Sequence, residues 1–116
     1  MSDLVERQQR FARGVASLIA YANAQGVAVT LDEAYRPPET AALYARQGRG
    51  IATSLHTMRL AVDLNFWTPT ETLFTAADYA PFGHWWTAQD PDHRWGGDFH
   101  TLPDPRHFSL TYQGIA

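Results

Sequence analysis

Two histidines of this sequence each lie near an aspartate, and these residue types together could bind a metal ion. In the first pair, His56 precedes Asp63 by seven positions. Apolar and polar side chains alternate over residues 60–65, which predicts a strand with Asp63 on the face away from the leucines. Because seven is odd, the two side chains reach one site only if the chain bends near residues 57–59.

The second pair lies further along the chain, where Asp104 precedes His107 by three positions. Pro105 disfavours the helical conformation for the residue before it. We therefore expect the pair to span a turn, whose ends lie within about 7 Å of each other. In that arrangement the carboxylate and the imidazole can share one site.

These residue types favour zinc chemistry. The sequence has no cysteine, so histidine and carboxylate are the strong ligands available. Two neutral imidazoles and one carboxylate leave a fourth position open on zinc, as in catalytic sites. The ion lowers the pKa of bound water from about 15.7 to about 7, and a spare carboxylate, here Asp104, can accept the proton. A histidine near an aspartate is nevertheless more often a surface pair, so the spacing alone does not decide.

Several elements must position these side chains. Apolar residues at helical spacing predict a first helix over residues 3–25. A short β-branched run predicts a buried strand over residues 27–31. Two prolines suit the first turn of a second helix over residues 37–47, which places Arg36 just before that helix.

The remainder of the chain has weaker signals. Residues 75–89 are rich in aromatic side chains and predict a helix broken at Pro81-Phe82-Gly83. Residues 108–112 predict a closing strand. This order indicates an α+β fold with a small antiparallel sheet and flanking helices. A chain of 116 residues, 45% apolar, suffices for one domain and is too short for two, so we predict a single catalytic domain over residues 1–116.

Composition excludes some classes of partner. The net charge of −3 argues against a nucleic-acid partner, which would require clustered positive charge. No apolar run approaches the roughly 18 residues of a membrane span, and the first residues lack the basic-then-apolar order of a secretory signal. We therefore expect a protein made in the cytoplasm without a signal peptide.

Four blocks of the sequence resemble the M15 family of zinc peptidases, which includes D-Ala-D-Ala carboxypeptidases and phage L-alanyl-D-glutamate endopeptidases. The blocks are Tyr35-Arg36 with Glu39 and Leu43-Tyr44; Ser54-Leu55-His56 with Ala61-Val62-Asp63; Trp95-Gly96-Gly97-Asp98-Phe99; and Asp104 with His107-Phe108. The two histidine–aspartate pairs are the most specific part. Residues 54–65 are similar to the phage-encoded branch in particular. The resemblance implies a fold like that of the hedgehog and D-Ala-D-Ala peptidases.

The resemblance also implies the metal site. Carried over position by position, it implies zinc ligands at His56, Asp63 and His107. It implies that Asp104 is the general base, where several relatives have glutamate. The cofactor expected from the resemblance is therefore Zn²⁺.

For the substrate, the resemblance implies contacts from Arg36 and Ser54. Arg36 would steady the scissile carbonyl or the developing oxyanion, which suits an always-charged planar group. Trp95 is a further candidate for substrate binding, because the glycines that follow it would let a substrate backbone approach closely. Two positions depart from many relatives. Ala41 replaces a glutamine that could hydrogen-bond the substrate, and Arg59 replaces a glycine, which should alter the bend between the metal ligands.

The function that the resemblance implies is a zinc-dependent peptidoglycan peptidase, of the phage endolysin type, that cleaves L-Ala-D-Glu in stem peptides. We expect a monomer that acts on the cell wall, either in the periplasm or delivered by a virion. A D-Ala-D-Ala carboxypeptidase is the alternative enzyme. A non-catalytic cell-wall binding module is a third hypothesis, although binding alone would not need the spare carboxylate of Asp104.

Overall fold

The computed structural model describes residues 2–49, 54–73 and 75–116. In chain order the helices and strands are α1 Asp3–Ala24, β1 Ala28–Leu31, α2 Pro38–Arg46, β2 Ala61–Trp67, α3 Ala76–Gln89, β3 His93–Trp95 and β4 His107–Leu110. The strands form one antiparallel sheet in the order β1-β2-β4-β3. The predicted α+β class with a small antiparallel sheet is confirmed. No helix in the described part of the chain is long and apolar enough to cross a membrane.

Helix α1 lies where the apolar spacing predicts it. The Ser2 hydroxyl accepts a backbone N–H of the first turn, and Gly26 follows the helix with φ +81°. Phe11, Leu18 and Ala22 form its buried face. Because these residues share one stripe of the helix, α1 packs against the core and leaves its polar face to solvent.

Strand β1 is an edge strand, and the prediction of a buried strand is wrong. Leu31 is 69% exposed, and the strand pairs with β2 on one side. A β-branched run fits both an edge strand and a core strand, because burial depends on what packs against it. The chain after β1 supports β2 directly: Asp63 N–H donates to the Glu33 carbonyl at 2.8 Å.

Helix α3 is continuous through Pro81, so the predicted break is wrong. The proline lies soon after the first turn, where it removes one backbone hydrogen bond and costs about 3 kcal/mol. Thr75 and Asp78 form a capping box that stabilises the start of the helix. The helix also buries Tyr79, Phe82 and Trp86. Burial of each such side chain contributes about 1.5–3 kcal/mol, which together outweighs the cost of the proline.

Strands β2 and β4 form the centre of the sheet and carry one residue of each histidine–aspartate pair, Asp63 and His107. Val62, Leu64 and Phe66 point into the core, as the alternating pattern predicts, and Asp63 lies on the opposite face. Asp63 is the direct partner of His107 in the antiparallel register. The short strand β3 was not predicted, because three residues are too few to reveal a period of two.

Candidate metal centre and active site

Three side chains converge on one face of the sheet. Asp63 of β2 and His107 of β4 are cross-strand partners, so their side chains lie on the same face. His56 lies in a short 3₁₀ turn, Leu55–Met58, whose N-cap Ser54 accepts a hydrogen bond from the His56 N–H at 3.2 Å. The structure therefore brings together the three residues that the sequence analysis assigned to the metal.

The expected bend between His56 and Asp63 is present. Arg59 ends the 3₁₀ turn with φ 57° and ψ 36°, a left-handed conformation that favours glycine. The Arg59 guanidinium lies 4.0 Å from the centre of the Tyr35 ring. The chain therefore makes the bend with arginine at a position where glycine would be less strained.

The distances within this group fit a shared ion. His56 Nε2 lies 3.4 Å and His107 Nδ1 lies 3.5 Å from Asp63 Oδ1. Those separations exceed the usual 2.7–3.2 Å of an N–H···O hydrogen bond. They match the spacing of about 3.3–3.5 Å expected between tetrahedral zinc ligands with bonds near 2.0–2.1 Å. Asp63 Oδ1 is buried without a hydrogen-bond partner in the described part of the chain, which a metal ion would satisfy.

The backbone around His56 sets the tautomer of its ring. His56 Nδ1 lies 3.0 Å from the Ala34 carbonyl oxygen. Because a carbonyl only accepts, Nδ1 carries the proton and Nε2 presents its lone pair to the site. A partner of this kind orients a ligating histidine and raises its basicity.

The three groups also shift one another's protonation. Burial raises the pKa of Asp63, but the two neighbouring imidazoles outweigh this effect and hold the pKa well below its usual range. Burial lowers the pKa of His56, yet the carboxylate of Asp63 outweighs it and the net shift is upward. Asp63 is therefore ionised at neutral pH, as a metal ligand must be.

Asp104 lies beside the ligand group and outside it. Its N–H donates to the Gly96 carbonyl at 2.9 Å, and its carbonyl accepts from the His107 N–H at 3.1 Å, which closes the predicted turn. Asp104 Oδ1 accepts from the Arg106 N–H at 3.3 Å. Burial and, next, the negative charge of Asp63 raise the pKa of Asp104. A carboxylate with a raised pKa is suited to proton transfer.

Arg36 and Ser54 both line the cleft that contains the ligand group. The Arg36 N–H donates to the His56 carbonyl at 3.1 Å, and its guanidinium contacts the Glu33 carboxylate through Nε. Ser54 is 6% exposed, and its hydroxyl already accepts from the His56 N–H. Both residues are thus tied to His56, whatever contact they make with substrate.

The predicted contact between Trp95 and the substrate stays a prediction, and Trp95 is not among the described residues that line the cleft. Trp95 is only 3% exposed, and its Nε1 donates to the Pro105 carbonyl at 2.8 Å. A Cβ placed on Gly83 or Gly97 would come within 2.1 or 2.2 Å of the Trp95 ring. The missing side chains of Gly83 and Gly97 therefore make room for the Trp95 indole ring and not for a substrate backbone. The ring in turn supports the segment that carries Asp104.

The cleft has a volume of about 540 Å³ and includes residues that the sequence analysis did not select. Among them are Arg49, Phe99 and Leu102. Leu102 is 72% exposed with φ 53°, a rare conformation for a bulky residue. No periodic pattern marks these loop positions, so only their place in the fold identifies them. Ala41, which stands where many relatives have glutamine, is fully buried.

Comparisons with known proteins identify the family and the fold. A family model described as D-alanyl-D-alanine carboxypeptidase, of peptidase family M15, matches residues 47–110. The crystal structure of the L-Ala D-Glu endopeptidase ChiX from Serratia marcescens is 23% identical with a TM-score of 0.69, covering 92% of this chain and 88% of that chain.

A mutant of the vancomycin resistance D,D-pentapeptidase VanY from a VanB-type resistance cassette, solved with Zn(II), has a similar fold. It is 19% identical with a TM-score of 0.57, covering 87% of this chain and 70% of that chain. Comparison with curated proteins gave no match. Since the family model covers more than half of the chain, this protein belongs to the M15 peptidases, the zinc metallopeptidases that act on peptidoglycan.

Proposed function

We propose that this protein is a phage-type endolysin that hydrolyses the bond between L-Ala and D-Glu in peptidoglycan stem peptides. The observation that carries the catalytic part is the convergence of His56, Asp63 and His107 at ligand spacing, with Asp104 beside them. The choice of bond is supported by the similarity of residues 54–65 to the phage branch. It is supported also by the shared fold with ChiX, an L-Ala D-Glu endopeptidase.

In this proposal His56, Asp63 and His107 hold zinc. When bound there, zinc supplies a Lewis acid that activates water and polarises the scissile carbonyl. Asp104 accepts the proton of the attacking water and returns it to the leaving amine. The Arg106 N–H donates to its Oδ1, which helps to fix the orientation of the carboxylate. The bonds from Asp104 to Gly96 and His107 keep that carboxylate beside the ligands.

Arg36 stabilises the negative charge that develops on the carbonyl oxygen. The Glu33 carboxylate contacts Nε, which orients the guanidinium and leaves the Nη donors for the substrate. The Arg36 side chain is 12% exposed, so little water competes for those donors. A fixed donor in such a place contributes more to catalysis than it would in water.

A second candidate reaction is removal of the terminal D-Ala from D-Ala-D-Ala. The description of the matched family model and the shared fold with the D,D-pentapeptidase VanY favour it. In both substrates the residue on the amine side of the scissile bond carries a free α-carboxylate. The same catalytic groups therefore serve either reaction, and the two differ in what extends beyond that residue.

Digestion of purified peptidoglycan separates the two reactions. We expect mass spectrometry to show L-Ala left on the muramyl side and new D-Glu amino termini. Chelation of zinc should stop the digestion, and zinc added back should restore it. Release of free D-Ala alone would refute the proposed bond and establish the carboxypeptidase. Digestion that continues unchanged in chelator would refute the role of the metal site.

A further inference from the structure

The cleft contains a guanidinium, Arg49, that the proposed catalysis does not use. In the described part of the chain, Arg36 and Arg49 are the arginine side chains that line the cleft. The charge of Arg36 is already paired with Glu33. Arg49 forms no ion pair with any carboxylate of the described residues. Arg49 is exposed, and it brings an unpaired positive charge to the cleft that contains the ligand group.

Uncharged neighbours hold Arg49 in place. Its guanidinium lies 4.4 Å from the centre of the Tyr44 ring, and its Nη1 donates to the Gln47 side-chain oxygen at 2.9 Å. The Arg49 N–H also donates to the Tyr44 carbonyl at 2.8 Å. Arg36 contacts the same Tyr44 ring, at 5.2 Å. Tyr44 thus orients both guanidiniums without neutralising either of them.

The substrate supplies the matching charge. A free α-carboxylate on the amine side of the scissile bond must enter a cleft that already contains the carboxylates of Asp63 and Asp104. With zinc bound as proposed, its charge of +2 balances those two carboxylates, and Arg36 is paired with Glu33, so Arg49 supplies the remaining positive charge that attracts the substrate carboxylate. A planar guanidinium can bind a carboxylate through paired N–H donors. The neighbouring Arg36 is committed to Glu33 and, in the proposed mechanism, to the carbonyl.

We propose that Arg49 binds this α-carboxylate and makes the enzyme select substrates with a carboxylate, and not a carboxamide, at that position. The inference rests on the proposed function for the location of the carboxylate. In chemical terms, the enzyme would prefer stem peptides with D-Glu over those with the α-amide, D-isoglutamine. Arg49 is then a specificity-determining residue, distinct from the zinc ligands and the base.

The test compares two peptides that differ only in this group, L-Ala-γ-D-Glu with a free α-carboxylate and its α-carboxamide. We expect the wild type to favour the acid by about tenfold or more in kcat/KM, the usual effect of a hydrogen bond to a charged group. Arg49→Gln should remove this preference by slowing the acid, with the amide changed less than about twofold. Arg46→Gln is the matched control, because Arg46 is exposed at the end of α2 and does not line the cleft. This variant should keep the preference for the acid.

Other outcomes overturn the proposal. Equal losses on both peptides in Arg49→Gln would make Arg49 a structural residue. Loss of the preference in Arg36→Lys, with the preference kept in Arg49→Gln, would assign the carboxylate to Arg36. If the wild type cuts D-Ala-D-Ala instead, the proposal that it cuts between L-Ala and D-Glu is refuted. The role of Arg49 is then tested by comparing D-Ala-D-Ala with its terminal carboxamide. If neither peptide is cut, calorimetry on the same proteins measures the dissociation constant of each peptide. The ratio of those two constants then replaces the ratio of kcat/KM as the measure of preference.

Discussion

Gly96→Ala tests whether the backbone at Gly96 positions the active site. A Cβ added there would lie 2.1 Å from the Asp104 carbonyl oxygen and 2.7 Å from the His107 Cβ. Cβ atoms in proteins essentially never approach another heavy atom within 3.0 Å. The difference between 2.1 and 3.0 Å requires a shift of about 0.9 Å in a closely packed region.

The residues that must move belong to the proposed active site. Asp104 is held to Gly96 by a hydrogen bond of 2.9 Å, and His107 is held to Asp104 by one of 3.1 Å. Movement of this segment therefore displaces both the proposed base and a proposed zinc ligand. A misplacement of about 1 Å costs about 100-fold in rate, and overpacking typically costs about 1–3 kcal/mol of stability. We expect kcat/KM to fall by about 100-fold and the free energy of unfolding to fall by 1–3 kcal/mol.

The assay measures kcat/KM on a stem peptide, zinc content per chain and unfolding in denaturant. Gly26→Ala is the control, because Gly26 has φ +81°, lies at the end of α1 and has open space around it. That variant should lose about 1–2 kcal/mol through backbone strain and keep its rate. A wild-type rate in Gly96→Ala, or an equal rate loss in Gly26→Ala, would refute the reasoning.

Three further predictions concern the metal, the base and pH. His56→Ala and His107→Ala should each abolish tight zinc binding, and elemental analysis that finds unchanged zinc in both would remove them from the site. Asp104→Asn should keep its zinc and lose about 10²- to 10⁴-fold in kcat, so loss of zinc together with activity, or near-wild-type activity, would contradict its role as base. The buried His93 ring stacks on the Trp86 ring, with 3.6 Å between the ring centres. The pKa of His93 is lowered from 6.5, and burial is the largest cause. As pH falls below 6.5, the unfolded state binds a proton that the folded state resists, so the stability advantage of the wild type over His93→Gln should shrink. Denaturation of both proteins at equal zinc from pH 7.5 to 5.5 measures this difference, and a difference that does not change with pH would contradict the prediction.

Local signals in the sequence were sufficient for much of the scaffold. Helix α1 begins at a capping serine and ends before a glycine, and α2 begins at prolines, because caps and backbone preferences act within a few residues. The alternation in β2 placed Asp63 on the face away from the core, since the side-chain period of a strand is two. Residue type and spacing likewise marked two pairs as candidates, His56 with Asp63 and Asp104 with His107, and the family resemblance assigned them to a metal site.

Packing and register decided the rest. The exposure of β1, the continuity of α3 through Pro81 and the burial of Trp95 all depend on neighbours that are distant in sequence. Arg49 lines the cleft for the same reason, because the cleft is completed by residues from distant parts of the chain. The antiparallel register of β2 with β4 sets Asp63 opposite His107. Residue types thus determined which atoms could bind zinc, whereas the pairing of distant strands decided that His107 Nδ1 lies 3.5 Å from Asp63 Oδ1.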